Sequence, residues 1–251
     1  MSEPQYDIVV LGAGSGGYAT ALRAAQLGMR VALIDGDKVG GTCLHRGCIP
    51  TKAYLHAAET ADAVRESARF GVRSTFGGID MAQVAKYRDS VIGGLYKGLQ
   101  GLLSSRGVEV VKGWGRLVSP DTVEVGGRAL VGRNVVLATG SYSRSLPGLD
   151  IGGRVITSDQ ALQMDWAPQS AVVLGGGVIG LEFASVWRSF GAEVTIIEAL
   201  PHLANNEDEA VSKQLERAYR RRGIKFHTNT RFAGAVQDEG GVRVVTEDGK
   251  S

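Results

Sequence analysis

Both cysteines of the chain lie in one short segment, and their spacing bears on redox chemistry. Cys43 and Cys48 belong to the sequence GGTCLHRGCIPTK at residues 40–52. In a straight helix this spacing gives about 7.5 Å of rise and a Cα separation of roughly 8 to 9 Å, beyond the limit of about 7 Å for a disulfide. A bridge between the cysteines therefore needs an irregular segment, which Gly47 and Pro50 favour.

Spacing alone leaves three interpretations of this pair open. A strained, reducible disulfide is favoured, because a disulfide in a cytosolic protein is more often catalytic than stabilising. Two buried free thiols without redox function are the second interpretation. A metal site is the weakest, because two sulfurs with only His45 nearby do not complete a tetrahedral ligand set, and we assign no metal ligand.

The first glycine motif predicts a cradle for a dinucleotide. Gly12, Gly14 and Gly17 fit the pattern G-x-G-x-x-G between a strand-like run and a helical pattern. Glycines there permit a tight turn and let a pyrophosphate approach the N–H groups of the helix. Asp35 follows Gly12 by 23 residues, at the position where an acid binds ribose hydroxyls.

A second motif repeats this arrangement. Gly175, Gly177 and Gly180 are followed by Glu198, again 23 residues after the first glycine. Tight packing alone explains one such motif well, but it is a poor explanation of two motifs with matching acids. Because Glu198 precedes Ala-Leu with no arginine nearby, we expect NAD, with its free 2′-hydroxyl, rather than NADP at this second site.

The elements around the two motifs predict an α/β fold with two βαβ units. Apolar strand runs and helical stripes alternate in both, and Gly28 and Gly191 are expected to end the helices. We place a domain boundary near residue 150, giving domains 1–149 and 150–251. The expected βαβ strands are residues 6–11, 31–34, 171–174 and 194–197, with a helix at 179–190 in the second unit.

The remaining segments complete this prediction. A helix is expected after Pro50 and another over residues 80–105, with a capping pair at Asp80 and Gln83. Short β-like runs at 108–111, 116–118 and 122–125 are interpreted as an antiparallel insertion, followed by a buried strand at 134–137. After the second unit we expect a helix at 207–222, strand pieces near Ile224 and Val242, and a hairpin turn at 247–251.

Composition narrows the function classes. The formal net charge is +2, which gives no reason to expect a nucleic-acid or membrane partner. The sequence contains no run of about 18 apolar residues, so no membrane span is predicted. No signal peptide is expected, and two cysteines are too few for a disulfide framework. We therefore expect a cytoplasmic protein. Glycine is the outlier, with 36 of 251 residues, about twice its usual share of ~7%.

With the two glycine motifs, the segment GGTCLHRGCIPTK resembles the flavin disulfide oxidoreductases of the glutathione reductase superfamily, and most closely the dihydrolipoamide dehydrogenases. The resemblance runs from about Tyr6 to the last residue. Two departures are Asp35, where many relatives have Glu, and His45-Arg46, where Asn and a small apolar residue are common. Neither changes the cysteine spacing or removes the ribose carboxylate.

The resemblance implies two Rossmann-like units, an FAD domain with an antiparallel β insertion and an NAD domain, and a relay between them. Dihydrolipoamide would attack a Cys43–Cys48 disulfide at Cys43, the interchange thiol. Cys48 would face the flavin, Lys52 would lie near flavin N5, and Glu182 would be the charge partner of Lys52. The residues implied to bind FAD are Gly12, Gly14, Gly17, Asp35, Gly41, Thr42, Lys52, Gly115, Thr139, Gly140 and Ser141. Those implied to bind NAD are Gly175, Gly177, Gly180 and Glu198.

The family's catalytic base, a histidine in a His-Pro context, is not found in this sequence. The four histidines, His45, His56, His202 and His227, lack that context. We therefore interpret the chain as a fragment or a truncated reading frame without the C-terminal dimerisation domain, and we expect it alone to be unstable or inactive toward lipoamide. The implied partners are the lipoyl domain of a 2-oxo acid dehydrogenase complex and, for the full-length protein, a second copy. A mercuric or glutathione reductase-like enzyme and a non-catalytic nucleotide-binding remnant are the alternatives.

Overall fold

The computed structural model describes residues 4–249, which form an α/β chain of seven α-helices and eleven strands. The helices are α1 (Ser15–Gln26), α2 (Gly41–Arg46), α3 (Cys48–Glu66), α4 (Met81–Ser105), α5 (Ser158–Ala161), α6 (Val178–Phe190) and α7 (Glu209–Arg221). The strands are β1 (Tyr6–Leu11), β2 (Val31–Asp35), β3 (Glu109–Lys112), β4 (Gly115–Ser119), β5 (Thr122–Val125), β6 (Arg128–Leu137), β7 (Ser170–Leu174), β8 (Glu193–Ile197), β9 (Lys225–His227), β10 (Phe232–Gln237) and β11 (Val242–Thr246).

The first compact unit comprises Met1–Pro50 and Asp89–Tyr142. Its strand order is β3-β2-β1-β6-β5-β4. Strands β3, β2, β1 and the second half of β6 are parallel, whereas β4, β5 and the first half of β6 are antiparallel. The predicted α/β class and the antiparallel insertion are thus confirmed.

One strand of that insertion was wrongly placed. The run at 108–111 corresponds to β3, which pairs in parallel with β2 in the register Ala32↔Glu109. The reason is the preceding helix α4, which carries the chain back to the same end of the sheet, as parallel pairing requires. Strand β6 also starts earlier than predicted, because its first residues pair with β5 before Gly132 reaches β1.

The second compact unit comprises Thr51–Arg88 and the chain from Ser143 onward. A parallel sheet of order β7-β8-β9 and an antiparallel β10-β11 hairpin form its strands. Strand β10 was not predicted, because Gly234 and its alanines weaken the apolar alternation, and the pairing is irregular between Phe232 and Gly234. The proposed division into domains 1–149 and 150–251 stays a prediction.

Helix ends follow local chemistry. Gly28 and Gly191 have φ of +79° and +108° and end α1 and α6 as expected. Helix α3 begins at Cys48, before Pro50 rather than after it, because a proline in the first turn loses no intrahelical bond. Asp80 precedes α4 and accepts a bond from the N–H of Gln83 at 3.1 Å.

Each unit has its own core. In the first, one apolar cluster includes Val10, Leu33 and Leu103 and another includes Val9 and Ile34. Since Val9 and Val10 are neighbours in one strand, the clusters lie on opposite faces of the sheet. The second core is centred on α6 and β8 and contains Tyr54, Ala184, Trp187, Ile196 and Leu203.

Among the described residues, no helix combines the length and apolar character that a membrane crossing requires. At the end of the chain, Glu247 and Asp248 form part of the predicted turn, and its last two residues, 250 and 251, lie outside the described range.

Candidate functional site

The first cradle lies where β1 turns into α1. Gly12 has a φ of +101°, and its N–H donates to the carbonyl of Ile34 at 2.8 Å. A side chain at Gly17 would overlap the carbonyl oxygen of Gly12, so the helix starts directly against the turn. Helix α1 begins after Gly14, and the first N–H groups of a helix have no partner within it and suit an anion.

Asp35 lies beside this turn at the end of β2. Its carboxylate accepts bonds from the N–H groups of Ala13 at 2.6 Å and Asp37 at 2.8 Å. The structure therefore brings together the acid and the glycine motif that the sequence paired. A carboxylate fixed by two backbone bonds is preorganised to receive further hydroxyl donors.

The cysteine segment begins against the same cradle. Gly41 has a φ of +56°, and a Cβ at this position would lie 2.6 Å from the Cα of Gly14. The two backbones can approach this closely because residue 41 lacks a side chain. Thr42 and Cys43 follow Gly41 in α2, so the first cysteine lies two residues from the cradle contact.

The end of β6 forms another border of the cradle. A side chain at Gly12 would overlap the carbonyl oxygen of Ala138 and approach the Cα of Thr139 at 3.2 Å. Gly140 has a φ of +83°, and Ser141 after it is exposed. The predicted Thr139-Gly140-Ser141 segment thus follows directly from the point where β6 meets Gly12.

Gly115 lies at the carboxyl ends of β1 and β2. A Cβ there would approach the side chain of Leu11 at 2.6 Å and that of Ile34 at 3.2 Å. Trp114, which belongs to none of the sequence motifs, lies with its indole over Gly36, where any side chain would overlap it. The indole is 84% exposed, and a tryptophan immediately before a predicted cofactor glycine was the available signal.

The second cradle reproduces the first. Gly175 has a φ of +106°, and its N–H donates to the carbonyl of Ile197 at 2.9 Å. A side chain at Gly180 would overlap the carbonyl oxygen of Gly175. Helix α6 begins after Gly177, whose extended conformation matches that of Gly14 in the first cradle.

Glu198 occupies the position that Asp35 has in the first unit. Its carboxylate accepts bonds from the N–H groups of Gly176 at 2.6 Å and Leu200 at 2.7 Å. The side chain of Leu203 lies against Gly176, since a Cβ there would be 2.7 Å from it. All four predicted residues of the second site therefore lie together around one turn.

The cysteines lie on two separate helices. Cys43 is in α2 and half-buried, Cys48 begins α3 and is exposed, and Gly47 between them has φ −144° and ψ −109°. The irregular segment expected between them is present. A Cβ at Gly47 would lie 3.1 Å from the carbonyl oxygen of Thr42, so the chain folds back tightly there. Within residues 4–249, no group of three or more His, Cys, Asp or Glu side chains is arranged to hold a metal ion.

The histidines have local partners. His45 donates through Nε2 to the carbonyl of Val39 at 2.9 Å, and its ring meets Tyr96 edge-on at 5.1 Å. That bond commits Nε2 as a donor, so this nitrogen is not available to take a proton from a thiol. The other three are His56, beside Glu59, His202, beside Glu216, and His227, in β9.

Lys52 and Glu182 form an ion pair within the second unit. The Nζ of Lys52 on α3 donates to Oε1 of Glu182 on α6. Glu182 is largely covered, at 21% side-chain exposure, whereas Lys52 is 57% exposed. The structure thus joins two residues that are 130 positions apart and that the sequence paired only through the resemblance.

Known proteins share this arrangement. Residues 6–251 match the family described as pyridine nucleotide-disulphide oxidoreductase. The chain belongs to this family. Dihydrolipoyl dehydrogenase of Bacillus subtilis is 41% identical over 241 residues, which are 90% of this chain and 51% of that protein. The match confirms the resemblance to this family.

Solved structures agree with the fold. LpdA from Mycobacterium tuberculosis has a TM-score of 0.86 at 28% identity and covers 97% of this chain and 55% of its own. The HOCl-induced flavoprotein disulfide reductase RclA from Escherichia coli has a TM-score of 0.78 at 27% identity and covers 96% and 53%. The chain therefore spans about half the length of these relatives.

Both cradles fit a dinucleotide. Each combines a glycine turn, a free helix start and an acid held by backbone N–H groups. Side chains at the middle glycines, Gly14 and Gly177, would meet no protein atom closer than 3.9 Å. The absence of side chains at these two positions therefore leaves space that a phosphate group can use.

Proposed function

We propose that the chain is the dinucleotide-binding and redox part of an FAD-dependent, NAD-linked dihydrolipoamide dehydrogenase. The contact between Gly14 and Gly41 carries this proposal, because it joins the first cradle to the segment that holds the cysteines. A thiol pair built onto the border of a dinucleotide cradle suits electron exchange between the two. The 41% identity to a dihydrolipoyl dehydrogenase supports the choice of substrate.

FAD is assigned to the first cradle. Asp35 would bind ribose hydroxyls, and the N–H groups at the start of α1 would bind the pyrophosphate. Gly41, Thr42, Gly115 and the segment 139–141 would border the cofactor, with Trp114 offering an exposed aromatic face beside Gly36. When bound, FAD supplies the redox chemistry that links a dithiol to a nicotinamide.

NAD is assigned to the second cradle. Glu198 would bind the ribose hydroxyls and would repel a 2′-phosphate. Its present partners are the backbone N–H groups of Gly176 and Leu200, which leave the carboxylate charge without a neutralising cation. We therefore expect NADH to bind more tightly than NADPH.

The cysteines would exchange with the substrate dithiol. A thiolate of dihydrolipoamide attacks the Sγ of Cys43 in a Cys43–Cys48 disulfide, and the bond between the two cysteines breaks. The second substrate sulfur then displaces Cys43, which forms the lipoamide disulfide and leaves both cysteines reduced. Lys52, paired with Glu182, is assigned a place near flavin N5.

The wider assignment rests on the similarity to dihydrolipoyl dehydrogenases. The substrate would be presented by the lipoyl domain of a 2-oxo acid dehydrogenase complex, and the full-length protein would act as a homodimer. We place the reaction in the cytoplasm, since disulfides in a compartment that keeps thiols reduced are usually catalytic rather than stabilising.

A second candidate is a disulfide reductase with another substrate. The likeness to RclA, at a TM-score of 0.78, favours this reading, because the same architecture there belongs to a reductase that is not named for lipoamide. Mercuric and glutathione reductase-like activities belong to the same candidate. Its signature would be NADH-dependent reduction of another disulfide in preference to lipoamide.

The assignment is tested by binding and thiol exchange. Titration of the purified chain followed by flavin fluorescence should show FAD binding, and calorimetry should show NADH binding tighter than NADPH. Turnover is not expected of the chain alone, but one stoichiometric exchange of the oxidised chain with dihydrolipoamide should leave two new thiols on each chain, and Cys43→Ser should abolish their formation. FAD binding without formation of these protein thiols would favour the non-catalytic nucleotide-binding remnant, and preference for another dithiol would favour the second candidate.

A further inference from the structure

Three helices of the second unit are joined by polar side chains that the proposed function does not use. Ser189 on α6 is buried at 2% exposure, and its hydroxyl donates to Oδ2 of Asp62 on α3 at 2.5 Å. The same hydroxyl accepts a bond from Nη2 of Arg222 at 2.7 Å, and Nη1 of Arg222 reaches the hydroxyl of Ser185 at 2.6 Å. We call Asp62, Ser185, Ser189 and Arg222 the serine clamp.

Helices α3 and α6 are thus connected at two levels. Along α3, Asp62 lies ten residues beyond Lys52, or about 15 Å, and along α6, Ser189 lies seven residues beyond Glu182, or about 10 Å. One connection would let the helices pivot or slide, whereas two connections in the same direction determine their register. The ion pair of Lys52 and Glu182 forms in that register.

The two connections differ in strength. Lys52 is more than half exposed, and exposed lysine–carboxylate pairs contribute little because water screens them and the long side chain loses freedom. The clamp combines charged partners with a buried hydroxyl, and hydrogen bonds of that kind are stronger than neutral ones. The clamp therefore sets the register, and the ion pair follows from it.

We propose that Asp62 and Ser189 are positioning residues for the Lys52–Glu182 ion pair. The pair's place near the flavin rests on the proposed function, but its dependence on the clamp does not. Arg222 extends the device to the end of α7, because it contacts both serines of α6. The clamp lies far along both helices from the ion pair and so acts through their register.

Helix α7 contributes a further hydrogen bond to α6, close to Glu182. The hydroxyl of Tyr219 donates to the carbonyl of Leu181 at 2.8 Å, one residue before Glu182. Burial raises the pKa of Tyr219 to about 12, against the lowering effect of the Arg222 guanidinium and with a smaller contribution from the Glu182 carboxylate. The phenol therefore stays neutral and remains a donor at ordinary pH.

The test measures Lys52 rather than turnover. The chain without added dinucleotide is treated with a limiting amine-acylating reagent, and acylation of Lys52 is quantified by mass spectrometry against Lys38 and Lys86. Glu182→Gln should raise Lys52 reactivity about two-fold, the size expected for loss of an exposed pair. Ser189→Ala and Asp62→Ala should raise it to a similar extent, and Asp62→Asn, which keeps an acceptor for Ser189, should raise it less.

Glu59→Gln is the matched control, because Glu59 is an exposed carboxylate on α3 whose partner is His56, and it should leave Lys52 unchanged. All variants are compared at a temperature where circular dichroism shows them folded. The proposal is overturned if Ser189→Ala lowers the melting temperature but leaves Lys52 reactivity at the wild-type value. It is also overturned if Glu182→Gln has no effect. Neither result depends on FAD binding, so a failed flavin titration would contradict the proposed function alone.

Discussion

The two glycine cradles have the same internal geometry but different surroundings. In both, the first glycine has a φ near +100°, the third lies against its carbonyl, and an acid accepts a bond from the residue after the first glycine. Around the first cradle, however, Ala138 meets Gly12 and Gly41 meets Gly14, whereas Cβ atoms at Gly175 and Gly177 would find open space. The first cradle is therefore enclosed by neighbouring segments at its first glycine, while the second is open at its first and middle glycines and is contacted at Gly176 by Leu203.

Gly12→Ala tests whether the stability of the first unit depends on the contact between Gly12 and Ala138. The new methyl group would overlap the backbone of Ala138 at a φ that L-residues rarely adopt, so we expect a loss of at least about 3 kcal/mol of unfolding free energy. Urea denaturation monitored by hydrogen exchange would show that the loss of unfolding free energy lies in the first unit. Gly16→Ala, with open space on α1, is the control and should not destabilise. A Gly12→Ala protein of wild-type stability would contradict the described contact.

Alkaline pH should affect the second unit next most strongly. Burial raises the pKa of Tyr219 from 10.0 to about 12, so the stability it confers is complete below pH 10 and is lost as pH rises through 12. The loss should reach roughly 2 kcal/mol, less whatever solvent screening removes. Tyr219→Phe should abolish this pH dependence of the unfolding free energy in denaturation curves between pH 9 and pH 12. If the variant keeps the same dependence on pH, another group is responsible for it.

The first unit has a smaller pH response of opposite sign. A hydrogen bond from Tyr6, supported by Arg128, holds the pKa of Glu109 below its usual value. Its contribution to stability is therefore present above about pH 4.5 and is lost as the pH falls through the lowered value. Glu109→Gln should flatten that acid limb, as measured by hydrogen exchange in β1 and β3.

Gly175→Ala should cost less than Gly12→Ala. Only the positive φ opposes the methyl group, because no other atom lies within 4 Å, and such strain costs about 1–2 kcal/mol. Urea denaturation of the two alanine variants side by side provides the measurement. Equal losses in the two variants would mean that the neighbours of the first cradle contribute nothing.

The smallest stability effect separates folding from binding. Gly177→Ala places a methyl group in open space at a φ of −78°, so unfolding free energy should change by less than about 0.5 kcal/mol. Because that space is assigned to a pyrophosphate, NADH affinity should fall at least about ten-fold, while FAD affinity stays constant. Gly14→Ala should instead lower FAD affinity and leave NADH affinity constant. If either variant lost affinity for both dinucleotides, the assignment of two separate cradles would be wrong.

Sequence predicts the features whose determinants are local. The cradles and β1 follow from glycine spacing beside a largely apolar run, and each acid follows from the length of one βαβ unit. Strand β3 was misassigned because a run of four β-favouring residues looks the same in a parallel edge and in an antiparallel insertion. The contacts of Trp114 with Gly36 and of Ser189 with Asp62 could not be predicted, because they join segments 78 and 127 positions apart. The Lys52–Glu182 pair was found only because the resemblance named it.

The meeting of Gly14 and Gly41 limits how this scaffold can be recombined. A side chain at Gly41 would lie 2.6 Å from the Cα of Gly14 and would have to displace that backbone, whereas a side chain at Gly14 would make only an ordinary contact at 3.9 Å. A chimera that imports the cysteine segment from a relative must therefore match its neighbouring turn as well. A graft should therefore include residues 12–47, because a shorter one would combine a turn and a cysteine segment that were not matched at Gly14 and Gly41.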